Sequence, residues 1–346
     1  MNTEFIEALN SICEEKGIPK DTMFEAIEAA LVSAYKKNYG SSQNAKIVMD
    51  RETGDVKVYA QKTVVEEVYN DLLEISLEEA RKINKKYQIG DIVDIEVTPK
   101  NFGRIAAQTA KQVVIQRIRE AERNVIYEEF LSKETEVITG IVTRPDKKNV
   151  LINLGRVEAI LGPAEQIPGE TFAPGDRVKV YIVEVKKTTK GPQILISRSH
   201  PGLVKRLFEL ESPEIQQGIV EIRSIAREAG SRTKMAVFSR DENVDPVGAC
   251  VGYKGARVQA VVNELKGEKI DIVKWSSKPQ EFIINALSPA KALSIEILDE
   301  KEKVARVIVP DYQLSLAIGR EGQNARLAAK LTGWKIDIKS ESMVKS

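Results

Sequence analysis

One pattern constrains this 346-residue chain more than any other, because a four-part signature occurs in it twice. Val251-Gly252-Tyr253-Lys254-Gly255 is matched by Ile318-Gly319-Arg320-Glu321-Gly322, 67 positions later. An apolar stripe at helical spacing follows each loop: Val258, Val261, Val262 and Leu265 in the first, Ala325, Ala328, Ala329 and Leu331 in the second. Each stripe ends at a glycine, Gly267 or Gly333, the residue that commonly closes a helix. The same tetrapeptide then appears in both, Lys269-Ile270-Asp271-Ile272 and Lys335-Ile336-Asp337-Ile338, with an offset of 66. The copies therefore differ by one residue in the helix-to-strand turn. A repeat of this kind demands two copies of one small α+β module. Only Ser276-Ser277-Lys278 separates them, so they are expected to pack rigidly together.

A single GxxG is common by chance, but helix, GxxG, helix and strand found twice at near-constant spacing is specific. Glycine at both ends of such a loop lets a phosphate approach the backbone, and the following helix start offers N–H groups to the anion. Lys254 and Arg320 place a cation at each tip; Tyr253 and Glu321 share the loops, and Arg257, Gln323 and Arg326 follow within a turn. The plainer alternative is a helix-turn-helix connector that uses glycine for tight packing. Neither segment offers GxxxxGK[ST] or GxGxxG, so a nucleotide-cofactor site is not expected. The repeats resemble KH domains, whose GxxG loop clamps about four nucleotides of single-stranded nucleic acid. That resemblance implies RNA contacts at Gly252, Tyr253, Lys254, Gly255 and Arg257, and at Gly319, Arg320, Glu321, Gly322, Gln323 and Arg326. Element order favours the type II form, with a helix at 214–229 and a strand at 234–239 before the first loop. A helix at 279–286 and strands at 293–298 and 304–309 precede the second.

Residues 136–198 change character. Five short strands are expected at 137–143, 149–153, 157–161, 177–185 and 193–197, with turns such as Pro174-Gly175-Asp176 between them. Five strands in so short a stretch suggest a small barrel of the OB type, a frequent platform for single-stranded nucleic acid. Thr139-Gly140-Ile141-Val142, Leu154-Gly155-Arg156-Val157, Pro174-Gly175-Asp176-Arg177-Val178 and Ile196-Ser197-Arg198 resemble the S1 domain. Its usual base-stacking aromatics are scarce, with Phe172 and Tyr181 the available rings, which predicts weak RNA binding by the barrel alone. Arg198 and the adjoining His200 are expected to contribute charge at the barrel's exit; for His200 a surface position on a linker is an equal alternative.

The amino-terminal part reads as mixed helix and strand. Phe5, Ile6, Leu9 and Ile12 share a helix face; Gly17-Ile18-Pro19 breaks it, and Thr22 three before Glu25 reads as a capping box. A hairpin turns at Thr53-Gly54-Asp55, Ser76 and Glu79 open a short helix, and 103–131 reads as one long helix. The approach to that helix, Lys100-Asn101-Phe102-Gly103-Arg104, has two readings. Phe102 is a local staple, or Phe102 and Arg104 are exposed docking contacts for a protein partner.

Composition narrows the function. One histidine, His200, and two distant cysteines, Cys13 and Cys250, leave little material for a catalytic triad or a metal site. No signal peptide and no apolar run of membrane-spanning length are seen. The chain is therefore expected to be cytoplasmic, free of the membrane, without metal or cofactor, and not an enzyme. The formal net charge of +1 argues at first against a nucleic-acid partner. Yet residues 1–130 carry 18 Lys and Arg against 23 Asp and Glu, net −5, and the remainder 34 against 28, net +6. The opposite signs suggest a protein-facing head and an RNA-facing body.

The whole order, a helical and hairpin head, an S1-type OB-fold barrel and two tandem type II KH domains in a multidomain α+β chain, resembles the NusA family of bacterial transcription factors. The specific stretches are 245–275, 314–338 and 100–112. Domains are expected at 1–131, 132–200, 201–276 and 277–346, in the shorter family form without acidic repeats. The resemblance implies a monomer that docks on DNA-dependent RNA polymerase through Phe102 and Arg104. It also implies contact with nascent single-stranded RNA, work alongside other Nus-type antitermination factors, and an influence on pausing, intrinsic termination and antitermination. Two rivals remain at this point: an RNA-degrading enzyme, for which the first 130 residues lack clustered carboxylates, and an accessory factor of the ribosome or of RNA turnover.

Overall fold

The computed structural model describes residues 3–40, 44–146 and 148–345. The chain forms two compact units, residues 1–126 and 127–346, and the division falls inside the long helix Phe102–Leu131.

In the first unit, helices Thr3–Lys16 and Lys20–Tyr39 are followed by the antiparallel strands Ala45–Met49 and Val56–Val65, with Met49 opposite Val56. Val56–Val65 is the hub of the sheet, pairing also with Glu74–Ser76 in parallel and with Ile92–Glu96 in antiparallel fashion. Ser76 Oγ accepts from the Glu79 N–H at 3.3 Å and caps helix Leu77–Ile83, as its spacing suggested. The Thr22 cap does not form: Pro19, whose φ suits the entry, takes the N-cap position and the helix is already under way at Lys20.

Phe102 also departs from the docking reading. It is fully buried, meets Tyr35 edge-to-face at 5.7 Å, and begins a buried stripe with Ala106, Ala110 and Val114. These positions are four apart, so one face of the long helix closes the core made by Leu9, Ile27 and Leu31. The staple reading is the one the packing favours. Arg104 lies on the exposed side.

The second unit begins with a five-stranded antiparallel sheet: Val137–Asp146, Asn149–Asn153, Glu158–Leu161, Arg177–Thr188 and Gly191–Ser197. The strand order runs third, second, first, fourth, fifth, and the two outer strands approach each other so that the sheet nearly closes on itself. Tyr181, one of its two candidate stacking rings, is buried beneath His200, parallel to it at 4.8 Å.

Two similar three-stranded sheets follow. In the first, Arg232–Ser239 is central, antiparallel to Val220–Glu228 and parallel to Lys269–Lys274. In the second, Val304–Val309 is central, antiparallel to Ser294–Asp299 and parallel to Lys335–Ser340. The repeated tetrapeptide now has a reason. Its aspartate faces a cation on the central strand in both copies: Asp271 opposite Lys234, and Asp337 opposite Arg306. Lys234 Nζ donates to Asp271 at 3.0 Å and Arg306 Nε to Asp337 at 3.1 Å.

One expected element is wrong. Residues 214–229 are not a helix; helices Pro201–Glu211 and Pro213–Gln216 come first, and Val220–Glu228 is a strand. A register shift between Ile222 and Ser224 breaks the period of two. The bulge spaces Ile222, Ile225 and Ala226 like a helix stripe, and this misled the periodicity.

Alternation along the first of these two sheets divides its side chains between two cores. Met235 and Val237 join the core beneath its own helices, while Ala236, Ala226 and Val273 join the core of the second domain. The second domain's helix Gln323–Thr332 thus lies on the sheet of the first, with Leu327 and Ala328 buried in the shared core.

Candidate nucleic-acid interface

Both GxxG loops follow one backbone path. Gly252 has φ 74°, ψ 176° and Gly319 has φ 77°, ψ 168°. The third positions, Lys254 at φ 50°, ψ 27° and Glu321 at φ 55°, ψ 26°, are left-handed, and the fourth glycines are left-handed too. In each loop the fourth glycine's N–H donates to the first glycine's carbonyl at 3.1 Å, closing a tight turn.

The two glycines of a loop serve different ends. A Cβ on Gly252 would come within 2.6 Å of Arg257 Cγ, and one on Gly319 within 2.7 Å of the Asn324 backbone nitrogen. The first glycine is thus required by the protein's own packing. Around Gly322 nothing lies within 4 Å of an added Cβ, and Gly255 meets one atom at 3.9 Å. That side is open, and it is where a ligand backbone can approach.

The side chains of Tyr253, Lys254, Arg320 and Glu321 stand out from the tips. Tyr253 is 82% exposed and the Arg320 side chain 94%. Lys254 Nζ sits 5.3 Å from the Tyr253 ring centre, and Arg320 lies 3.8 Å from Glu321, which offsets part of its charge. An exposed aromatic and cation on a tight turn suit a stacked base and a phosphate.

Other expected contacts are engaged inside the protein. Arg257 donates to Glu214 at 2.7 Å and to the carbonyl of Ala249, near the end of the helix before its loop. Asn324, the corresponding residue five beyond Gly319, donates to Ala317 O and Leu287 O, both at 3.0 Å. Both side chains strap the loop to the preceding helix. Hydrogen bonds from Glu214's own backbone N–H, then from Ser212 and Arg257, hold the Glu214 carboxyl below the usual carboxylate range despite partial burial.

Gln323 and Arg326 reach across to the first of the two repeated modules. Gln323 donates to Glu228 at 2.8 Å and to Ser231 at 2.7 Å, while Arg326 grips Glu228 through two nitrogens at 2.6 and 3.1 Å.

Arg198 is not at the surface. Its side chain is 1% exposed and bidentate on Glu170 at 2.7 and 2.6 Å, with further bonds to Lys179 O and to Glu264. Arg227 makes a second buried clasp, bidentate on Glu268 at 2.9 Å and donating to the carbonyls of Arg198 and His200. These fully hydrogen-bonded pairs fix the barrel to the first repeated module rather than offering charge to RNA. His200 accepts the Gly202 N–H on Nδ1 at 2.9 Å, so it caps helix Pro201–Glu211. A glutamate 28 residues from Arg198 and another 41 residues from Arg227 give no local signal, which is why the sequence did not reveal these pairs.

Known proteins match this architecture along its length. Family models for the NusA N-terminal domain, the S1 RNA binding domain, and the NusA-like first and second KH domains match residues 4–124, 132–197, 198–275 and 279–346. The transcription termination/antitermination protein NusA of Bacillus subtilis is 63% identical over 99% of this chain and 92% of its own. The chain belongs to the NusA family. The protein of the same name from Halalkalibacterium halodurans is 61% identical over 99% of this chain and 89% of its own. That from Thermus thermophilus is 47% identical over 97% and 89%. The KH and S1 resemblances read from the loops and strands are thus those of NusA-family domains.

Membership gives the remaining features their context. Among the described residues of this NusA-family chain, no group of three or more His, Cys, Asp or Glu is placed to hold a metal ion. No described helix is long and apolar enough to cross a membrane. Both cysteines are buried and unpaired, and burial pushes the Cys250 thiol up to about 12.

Proposed function

We propose that this chain is an RNA-binding transcription factor that docks on RNA polymerase and contacts the nascent transcript. There it modulates pausing, intrinsic termination and antitermination without catalysing a reaction. Curated relatives carry the name transcription termination/antitermination protein, and the matched modules include an S1 RNA binding domain and two KH domains. The observation that carries the RNA reading is the duplicated loop: one backbone path, an open fourth glycine, and Lys254 or Arg320 exposed at the tip.

In this reading Tyr253, Lys254, Gly255, Arg320 and Gly322 meet RNA. Gly252, Gly319 and Arg257 shape the loops, and Arg198 and His200 hold the barrel against the first KH domain. Affinity rests on placed groups more than on bulk charge, and tethering to polymerase raises the effective RNA concentration at weak individual sites. The amino-terminal unit, with exposed Arg104, meets the polymerase.

The test replaces Lys254 and Arg320 together with aspartate and titrates a single-stranded RNA at several salt concentrations. Affinity should fall, and the slope of log K against log salt should shrink by about 2, roughly one per lost phosphate contact. Unchanged affinity and slope would remove both residues from the interface.

A further inference from the structure

The first KH domain holds the second loop in position through one carboxylate. Glu228 ends the strand Val220–Glu228 of the first domain. Its two oxygens receive Arg326 at 2.6 and 3.1 Å and Gln323 at 2.8 Å. Gln323 is the residue directly after Gly322, and it also donates to Ser231 at 2.7 Å. Arg326 continues into the loop itself, donating to the Glu321 carbonyl at 3.1 Å. An unbroken chain of contacts therefore runs from the first domain's sheet to the tip of the second domain's loop.

Comparison of the two copies separates placement from shape. The positions equivalent to Gln323 and Arg326 in the first copy are Ala256 and Gln259. Gln259 donates to Asn263 on its own helix at 2.9 Å. Yet the third residues of the two loops agree within 5° in φ and 1° in ψ, at 50°, 27° and 55°, 26°. The loop forms without such a clasp, so shaping the loop is not what Glu228 does.

The remaining contact between the domains combines small apolar side chains with two hydrogen bonds to backbone carbonyls. Ala226 and Ala236 lie against residues such as Leu327 and Ala328, while Lys234 donates to Ser288 at 2.6 Å and Asn285 to Lys274 at 3.0 Å. These dock the domains, but neither hydrogen bond involves the second loop or the two residues Glu228 grips. The bidentate charged contact at Glu228, by contrast, acts on the loop's own flank. Hydrogen bonds from Arg326 and Gln323 outweigh burial and hold the Glu228 carboxyl below the usual range, so the clasp is charged at neutral pH.

We propose that Glu228 is a positioning residue for RNA. By gripping Gln323 and Arg326 it fixes the spacing and direction of the second GxxG loop relative to the first, so that one extended strand engages both. The inference rests on the reading that both loops bind RNA.

The experiment uses the full chain and two random-sequence single-stranded RNA pools, one of about four nucleotides, the footprint of one loop, and one of about twelve. Wild-type protein should prefer the longer pool by about a hundredfold or more, because the second loop binds intramolecularly. Glu228→Ala should reduce long-pool affinity by roughly tenfold and leave short-pool affinity in place, since the apolar contact still docks the domains. Glu228→Gln keeps an acceptor oxygen for Arg326 and should recover part of the loss.

Charge alone predicts the opposite. Removing a carboxylate and freeing Arg326 should strengthen binding to a polyanion, so a loss confined to the long pool identifies placement. Long-pool affinity that is unchanged or improved in Glu228→Ala, with the wild-type length preference intact, overturns the positioning role alone. Long and short pools falling together overturns it as well. A wild-type protein without length preference overturns the two-loop reading beneath it.

Discussion

The two glycines of the second loop should respond oppositely to the same methyl group. Gly319 has φ 77° and ψ 168°, a region that residues with a side chain enter at a cost of about 1–3 kcal/mol. An added Cβ would also lie 2.7 Å from the Asn324 nitrogen and 2.8 Å from its Cβ. Asn324 cannot yield easily, being buried and tied to Ala317 and Leu287, and overpacking of this kind costs about 1–3 kcal/mol more. Gly319→Ala should therefore destabilise the second KH domain by roughly 2–6 kcal/mol. Gly322 sits at φ 73°, ψ 15° with open space around it. There alanine pays only the left-handed penalty of about 1–2 kcal/mol, less about 0.5 for the stiffer unfolded chain.

Urea denaturation followed by tryptophan fluorescence reads the difference, since Trp334 packs against the same core. RNA titration of the folded proteins supplies the second axis. Gly322→Ala should keep most of its stability and lose RNA affinity, because its methyl occupies the approach side. If Gly322→Ala proves as unstable as Gly319→Ala, or binds RNA like wild type, the division of labour between the glycines is wrong.

Other expectations concern separate parts of the chain. Phe102→Ala should destabilise the amino-terminal unit by about 3–5 kcal/mol through the cavity it leaves. Arg104→Ala should change stability by less than about 0.5 kcal/mol while weakening capture of purified RNA polymerase; equal capture would remove Arg104 from the docking surface. Burial pushes the Asp271 carboxyl up, but Arg232 and Lys234 more than offset it and leave it below the ordinary range. A lowered native value means stability that is complete above the unfolded pKa near ~4 and lost as pH falls through the native one. Thermal melts should show wild type losing stability below about pH 4 more steeply than Asp271→Asn, and parallel curves would refute the linkage.

The sequence was most legible where one element repeats another. The second copy turned a weak GxxG into a specific one, and it marked Asp271 and Asp337 as equivalent positions, though only the sheets showed that each faces a cation. Legibility failed where the deciding contact is remote or the period is broken. Arg198 looked like a surface charge because Glu170 and Glu264 reach it only after the barrel and the KH domain meet. The bulge between Ile222 and Ser224 disguised a strand as a helix. Phe102 sits in a polar stretch, and only Tyr35 and Tyr39, on another helix, show that it points inward. Arg257 and Arg326 stand close to their loops in sequence, yet Glu214 and Glu228 claim both guanidinium groups.

The stacking of one KH sheet under the next domain's helices joins unlike faces, and such a contact could in principle be continued by a third module. The first sheet invites a neighbour by presenting Ala236 opposite Val273 on its outer side. At the same register the second sheet presents Ile308 opposite Lys339, next to Arg306 opposite Asp337. The ion pairs do not distinguish the sheets, since Lys234 and Asp271 hold the matching register in the first and are covered there. The difference is Lys339 in place of Val273, a charge that a further helix laid there would have to bury. Lys339 thus gives the second sheet a more polar outer face than the first, a substitution of the kind that makes the exposed end of a repeat array resist further stacking.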